Sequence, residues 1–581
     1  MGHPVSLGME HGLQQWERGC ILRVLSTVFG VFLVAIASAP GQQTPCPLCR
    51  LADTGTLPDL RWPSFQDRQI EIRKFYDSIG DSLAWTREGE VTPQAVMAIR
   101  VLQKAALKGL DPEDYDGSRW EGRLANFVRH PELPEEVAHF DVALTVSVMR
   151  YASDVHSGRV NPKAFCFGLD NSQKQCDLAA LLRDHLIHSH DVAAELNRLE
   201  PPFEGYRRTE AALETYLKLA REDDGERLPA TSKPVEPGTS YSGAGRLTRL
   251  LRLLGDLPAS GGPAGNSTIY EGALVEAVKH FQMRHGIDPD GRIGKGTLKE
   301  LNTPVSYRVR QLDMVLERWR WVPETFPRPP IVVNIPEFRL RAYNDRYQPE
   351  LEMKVIVGKA FRRQTPVFAN SMTHLIFRPY WNVPLSIQRN ELVPHILKDP
   401  AYLAKNEYEV VDSREHVVPG AVTPELIRQL RSGRLSIRQV PGDKNALGHV
   451  KFMFPNEYNV YLHGTPAKKL FAKSRRDFSH GCIRVEKPEE LALWVLRGKP
   501  GWDLDRIQAA ENGAKPLQVN LDSPIPVLVV YGTAVVVQDG GVYFFDDIYG
   551  HDKSLLELLD NGYPYSGLPP TSAGLCRRPR E

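Results

Sequence analysis

The 581-residue chain has almost no net charge, formally +1, and no dense block of lysine and arginine. Phosphate binding usually leaves a basic patch, so nucleic acid is not expected as the main partner. Long apolar runs are scarce too. The one candidate, Val24 to Ala37, is short for a bilayer span of about 20 residues. No second run of that kind follows, so the rest of the chain reads as soluble. Cysteine is sparse: seven in a chain this long do not make a disulfide scaffold. No internal repeat is visible, so a repeat architecture is not expected. Long disorder is not expected either, because 42% apolar and 25% charged residues are ordinary for globular protein.

What is present begins with the N-terminus. Arg18 and Arg23 precede the apolar run, and the small residues Ser38 and Ala39 follow it. A basic flank, a short apolar core and an Ala-x-Ala site read as an export signal over residues 1–39, either cleaved or kept as a membrane anchor. Cys46 and Cys49 form one Cys-x-x-Cys, a disulfide or half a zinc site. Cys166 and Cys176 bracket a short loop and could pair in an oxidising compartment.

At roughly 150 residues per domain the length suggests three or four units. Residues 62–220 carry apolar positions at helical spacing, as in Gln66–Ile79, Thr92–Leu107 and Ala138–His156. Arg221–Gly245 is charged and then rich in Pro, Gly and Ser, which predicts a linker. Residues 245–303 predict a small three-helix unit. Leu247, Leu250, Leu251 and Leu254 line one helix face, and Phe281-Gln282 closes a second helix before the turn Asp288-Pro289-Asp290-Gly291. The stretch Gly291–Thr297 is not a phosphate-binding loop. Pro289 stands where its first glycine belongs, and Gly296 where Ser or Thr must hold magnesium.

From Pro330 the apolar period becomes two, predicting a mostly-β unit over 328–537. Its expected strands include Ile331–Ile335, Phe338–Tyr343, Glu352–Val357, Met372–Phe377, Val450–Phe454, Asn459–His463, Gln518–Leu521, Val527–Val530 and Gly532–Val537. A charged, mostly helical stretch over about 385–435 interrupts them and predicts a cap or lid. The fold class is therefore multidomain α+β: a helical scaffold, a small helical unit, and a β domain with a helical capping insertion.

The chemistry concentrates at Tyr461–Arg484. A thiol attacks a carbonyl well only as thiolate, and a nearby imidazole lowers its pKa or takes its proton. Here Ser479-His480-Gly481-Cys482 follows His463 by nineteen residues. Strand alternation puts Tyr461 and His463 on one side. Gly481 permits backbone conformations closed to other residues, so N–H groups can point at a developing oxyanion. The residue types alone also fit a buried structural cysteine, or a zinc site lacking a further ligand.

The runs His463-Gly464-Thr465-Pro466 and Ser479-His480-Gly481-Cys482-Ile483-Arg484 together resemble the signature of YkuD-type L,D-transpeptidases. Tyr380-Trp381-Asn382-Val383-Pro384, Arg438–Gly442 and Asn445–Gly448 resemble the large periplasmic branch of that family. Weaker cues lie in Gly109–Tyr115 and Gly158–Pro162. Residues 245–303 resemble the peptidoglycan-binding type 1 domain.

The resemblance implies acyl transfer from a peptidoglycan tetrapeptide stem, with release of D-alanine and a 3→3 cross-link as product. It implies Cys482 as nucleophile, His463 as general base and the Gly464 carbonyl as the group orienting that base. Gly481 and Cys482 would supply oxyanion donors, while His480 would shape the loop or stabilise charge. Arg484 would contact a stem carboxylate or brace the loop, Tyr461, Trp381 and Asn382 would line the substrate, and Ser479 would brace the turn. It implies no cofactor and no metal, stem peptides and glycan as partners, carbapenem-type inhibitors, and a periplasmic or envelope location. Oligomeric state stays open. So do a hydrolase on the same scaffold and an inert wall-binding protein.

Overall fold

The computed structural model describes residues 46–565 apart from 173, 175, 261–267 and 361–362. The expected export segment, Cys20 and Cys576 lie outside the described residues.

The scaffold is built round the 24-residue helix Pro134–Ser157. Most of its positions are buried, from Val137 to Val155, so it is a core helix rather than a surface one. Helices Pro47–Thr54, Gln69–Ser78, Pro93–Gln103 and Trp120–Arg129 pack around it. Thr92 caps the N-terminus before Pro93, and Asp141 of the long helix accepts the backbone N–H groups of Ala84 and Trp85. The core also takes in Leu48, Leu51 and Ala52, upstream of the expected boundary.

The small unit contains helices Ala244–Leu253, Ala273–Arg284 and Lys295–Leu301. The stretch expected as a linker is largely part of it. Leu228, Val235 and Tyr241 are buried in its core, Val235 bridges Ile293, and Thr239–Ser240 pairs with Ile269–Tyr270. Composition misleads here because three well-spaced apolar residues are enough to dock a polar, Pro-rich segment. Gln282 knits the turn of the motif: its amide donates to Asp290 (3.0 Å), the Arg292 carbonyl (2.9 Å) and Thr297 (3.1 Å), and accepts from Gly291 N–H (2.8 Å). The Phe-Gln…Asp-Gly pattern is thus a turn-building device in this chain.

Helix Val305–Arg320 carries Glu317, which is fully buried. Its carboxylate accepts from Arg159 N–H (2.7 Å), Val160 N–H (3.1 Å), Arg159 Nε (3.2 Å) and Trp321 Nε1 (3.2 Å). The Gly158–Pro162 run is therefore the scaffold's anchor onto this helix. Replacing Glu317 by alanine strands the buried Arg159 and is expected to cost about 3–5 kcal/mol, read as a fall in the urea midpoint.

The β unit holds nine strands in one sheet. In chain order they are β1 (Ile331–Asn334), β2 (Arg339–Tyr343), β3 (Pro349–Gly358), β4 (Phe368–Phe377), β5 (Val450–Met453), β6 (Leu462–His463), β7 (Asp477–Ser479), β8 (Ile483–Val485) and β9 (Leu517–Val530). The spatial order is β7-β3-β8-β6-β5-β4-β9-β1-β2, and β2 also pairs with β3, so the sheet closes on itself. Most neighbours are antiparallel, but β6–β8, β7–β3 and β9–β1 are parallel. Val355, Val357, Leu375, Phe452, Leu462, Ile483 and Val527 fill the interior, with helix Pro488–Val495 covering it through Leu491 and Val495. Two expectations change. Gln518–Leu521 and Val527–Val530 are one continuous strand with an irregularity between Asn520 and Ile525, and Asn459 turns with φ +53°, leaving only Leu462–His463 in the ladder.

The capping insertion is not mostly helical alone. With its helices it builds a three-stranded sheet, Tyr408–Val411, Ser436–Gln439 and Trp381–Asn382, over its own core of Val383, Leu392, Val393, Ile396, Leu430 and Ile437. Beyond the expected boundary at 537, Ala534–Val536 forms a hairpin with Val542–Phe544, and helix His551–Asp560 returns to the β unit.

Candidate active site

β6 is two residues long, yet it is held on both sides: Lys451 of β5 lies opposite His463, and His463 lies opposite Arg484 of β8. His463 is 4% exposed, and its Nδ1–H donates to the Gly464 carbonyl at 2.6 Å. That bond fixes the tautomer and leaves Nε2 with a lone pair. The bend that returns this carbonyl to the ring is packed from behind. A Cβ on Gly448, at φ +65°, would meet Thr465 N at 2.7 Å and Gly464 C at 2.8 Å.

Burial first, and then the Arg484 and Lys451 charges, push the His463 imidazole down to about 3. The imidazole is therefore neutral and proton-accepting across the physiological range. Because the folded value lies below the ordinary 6.5, the unfolded chain takes up this proton first. This residue's share of stability is then lost as pH falls from 6.5 towards 3. The expected NMR result is a His463 ring that shows no titration step between about pH 5 and 8.

Cys482 sits on the turn between β7 and β8, half-buried, with a free thiol. Burial pushes the thiol up, while the Tyr461 backbone N–H and phenol, Lys451 and Arg484 oppose that shift. The sulfur is 3.7 Å from the Asn459 carbonyl. Tyr461 and His463 have ring centroids 5.6 Å apart, and the Tyr461 side chain also reaches Cys482. The turn is fixed through its backbone. Ser479 Oγ donates to the Cys482 carbonyl (2.6 Å) and accepts from Gly481 N–H (3.1 Å), and Thr365 Oγ1 donates to the Gly481 carbonyl (2.7 Å). Gly481 has φ +124°, a conformation that L side chains rarely adopt. Since Ser479 occupies the Gly481 N–H, the Cys482 N–H is the donor of this pair left without a partner among the described residues.

His480 does not face His463's role. Its Nε2 meets Glu391 Oε1 at 2.7 Å, and Arg363 meets the same oxygen at 2.8 Å. Glu391 comes from the cap, so a cap carboxylate bonds the Ser479–Cys482 turn directly. Trp381 packs in the cap beside Tyr408 (6.3 Å), and Asn382, exposed, pairs with Arg438. Cys166 is disulfide-bonded whereas Cys176 is a free thiol, so the expected Cys166–Cys176 bridge is not made. Cys46 and Cys49 are free, with Cys49 N–H donating to Cys46 Sγ at 3.3 Å. No group of three His, Cys, Asp or Glu side chains able to hold a metal ion occurs among the described residues.

Glu391, Arg363, Thr365 and Lys451 carry no motif. Lys451 alone had a sequence signal, as the one charge inside the apolar strand Val450–Met453.

Comparison with known families assigns residues 328–510 to the "L,D-transpeptidase catalytic domain", 245–301 to the "Putative peptidoglycan binding domain" and 70–213 to the "Scaffold domain". The chain carries a YkuD-type L,D-transpeptidase catalytic domain and a peptidoglycan-binding type 1 domain. A curated relative from Haemophilus influenzae, named "Putative L,D-transpeptidase", is 34% identical over 247 residues, 42% of this chain. The chain spans about half (49%) of that relative's length. Within the transpeptidase domain lie all of Cys482, His463, Gly464, His480 and Arg484. Among the described residues no helix is long and apolar enough to cross a membrane.

Proposed function

We propose that the protein is a cysteine acyltransferase of the cell envelope, joining peptidoglycan stems by L,D-transpeptidation. The observation that carries this reading is a free thiol at Cys482, on the turn into β8, with a neutral imidazole on the paired strand β6 whose Nδ1–H is tied to Gly464. As Cys482 Sγ attacks the carbonyl preceding the terminal D-alanine of a tetrapeptide stem, His463 Nε2 takes the thiol proton. The Cys482 N–H faces the oxyanion. When the carbon–nitrogen bond breaks, the same proton passes to the departing D-alanine amine and a thioester remains. An amine of a second stem then attacks the thioester and regenerates the thiol, giving a 3→3 cross-link.

Arg484 is a cation at the sulfur's edge suited to a stem carboxylate, and Tyr461 forms the wall beside it. Ser479 braces the turn, and the small helical unit of residues 245–303 holds the enzyme on glycan. An exported, envelope location follows from that substrate and from the N-terminal signal pattern.

The test is incubation of the full chain with purified tetrapeptide muropeptides, followed by mass spectrometry of the products. Cross-linked dimer with free D-alanine supports transpeptidation. Tripeptide with no dimer would replace it with hydrolysis, and no D-alanine release would end the acyl-transfer reading.

A further inference from the structure

The register sets three side chains in a row across adjacent strands: Lys451 of β5, His463 of β6 and Arg484 of β8. Directly paired residues share one face of a sheet, so the imidazole lies between two cations. Lys451 Nζ stands 3.8 Å from the centre of the Tyr461 ring, a cation–π contact. Tyr461 in turn presents its phenol and backbone N–H to the Cys482 sulfur. Among the described residues Lys451 and Arg484 have no carboxylate partner, and Arg484 Nε is buried without a hydrogen bond.

Half-burying an ammonium without an anion is costly, and an anion placed beside it recovers that cost. The titratable groups around Lys451 are Tyr461 under its ammonium, His463 directly opposite on β6, Cys482, and His374 on β4. Of these, only Cys482 becomes an anion on losing a proton at mild pH. Desolvation of the lysine and the sulfur is relieved in each case by the other's charge.

We propose that Lys451 is an electrostatic positioning residue: its ammonium is the counter-ion that stabilises the Cys482 thiolate as it forms. This rests on the reading of Cys482 as nucleophile. It assigns the charge balance of the forming thiolate to Lys451 and leaves the thiol proton to His463, which carries it to the departing amine. A standing thiolate–imidazolium pair would instead need a third cation in the row between Lys451 and Arg484.

The test is the pH profile of Cys482 alkylation by iodoacetamide in the full chain, resolved by peptide mass spectrometry from the other thiols, for wild type, K451M and K451R. An opposite charge within about 4–6 Å shifts a pKa by about one unit or more. K451M is therefore expected to move the midpoint up by about one unit, slowing alkylation about tenfold at pH 7, while K451R keeps the wild-type midpoint. With tetrapeptide donor, K451M should lower kcat without a matching rise in KM. A folded K451M with an unchanged midpoint would overturn the proposal. So would a rise in KM alone, which would make Lys451 a substrate anchor. If K451M fails to fold, a K451R protein with normal melting and a raised midpoint overturns it equally. Alkylation needs no stem peptide, so a wild type inert toward muropeptides would defeat the transpeptidase reading and still leave this profile decisive.

Discussion

Cys482→Ala is expected to reduce acyl transfer from a tetrapeptide stem by about 10⁴-fold or more, with melting close to that of the wild type. The first half follows from chemistry. Without a sulfur no thioester forms, and the binding surfaces that remain cannot replace a covalent intermediate. The second half follows from how the turn is built. Ser479 grips the Cys482 carbonyl, Thr365 grips the Gly481 carbonyl, and Tyr549 donates to the Gly358 carbonyl while accepting from Thr365 N–H. Every one of these bonds ends on backbone or on a neighbour, and none needs the thiol. Serine at 482 is expected to fail in the same way, since its hydroxyl is a far weaker acid than a thiol. Steady-state turnover beside thermal unfolding checks both halves.

His463→Ala carries the second-largest effect, a fall in acylation of about 10²–10⁴-fold. Here folding needs its own control. The side chain is buried, and its loss leaves the Gly464 carbonyl without its donor, at about 1–3 kcal/mol. Two readouts separate chemistry from packing. Thiol reactivity in the variant should recover as pH rises, because hydroxide then does what the imidazole did. Protonation of the leaving amine has no such substitute, so turnover should stay low at every pH. Full recovery of turnover at alkaline pH would remove His463 from the second proton transfer.

How much of this was legible beforehand varies with the kind of interaction. His463 and Cys482 stood out because a motif compresses nucleophile and base into one short stretch, and strand alternation placed Tyr461 with His463. The row Lys451–His463–Arg484 was not legible, because register between β5, β6 and β8 is a property of pairing and not of any one strand. Glu391 was hidden for a similar reason: it reaches His480 across 89 residues of chain, from an insertion whose role the sequence showed only as an interruption.

The cap sheet escaped notice because its strands lie on either side of the helices, Trp381–Asn382 before them and Ser436–Gln439 after, each too short to show a period. Trp381, expected to line the substrate, stands on the first of these strands. The misread linker teaches the converse. Composition reported Pro, Gly and charge over Arg221–Gly245, but Leu228, Val235 and Tyr241 each find a pocket, and burial follows individual side chains. Oxyanion donors were expected at both Gly481 and Cys482, and the hydroxyl that braces the turn takes the Gly481 N–H.

The most direct measurement of the central claim is peptide mapping of the protein after brief exposure to tetrapeptide donor and acid quench. The expected adduct is the stem acyl group, donor mass less D-alanine, on the peptide containing Cys482, present in the wild type and absent in Cys482→Ala. An adduct on any other residue, or transfer that proceeds in Cys482→Ala, would contradict the account.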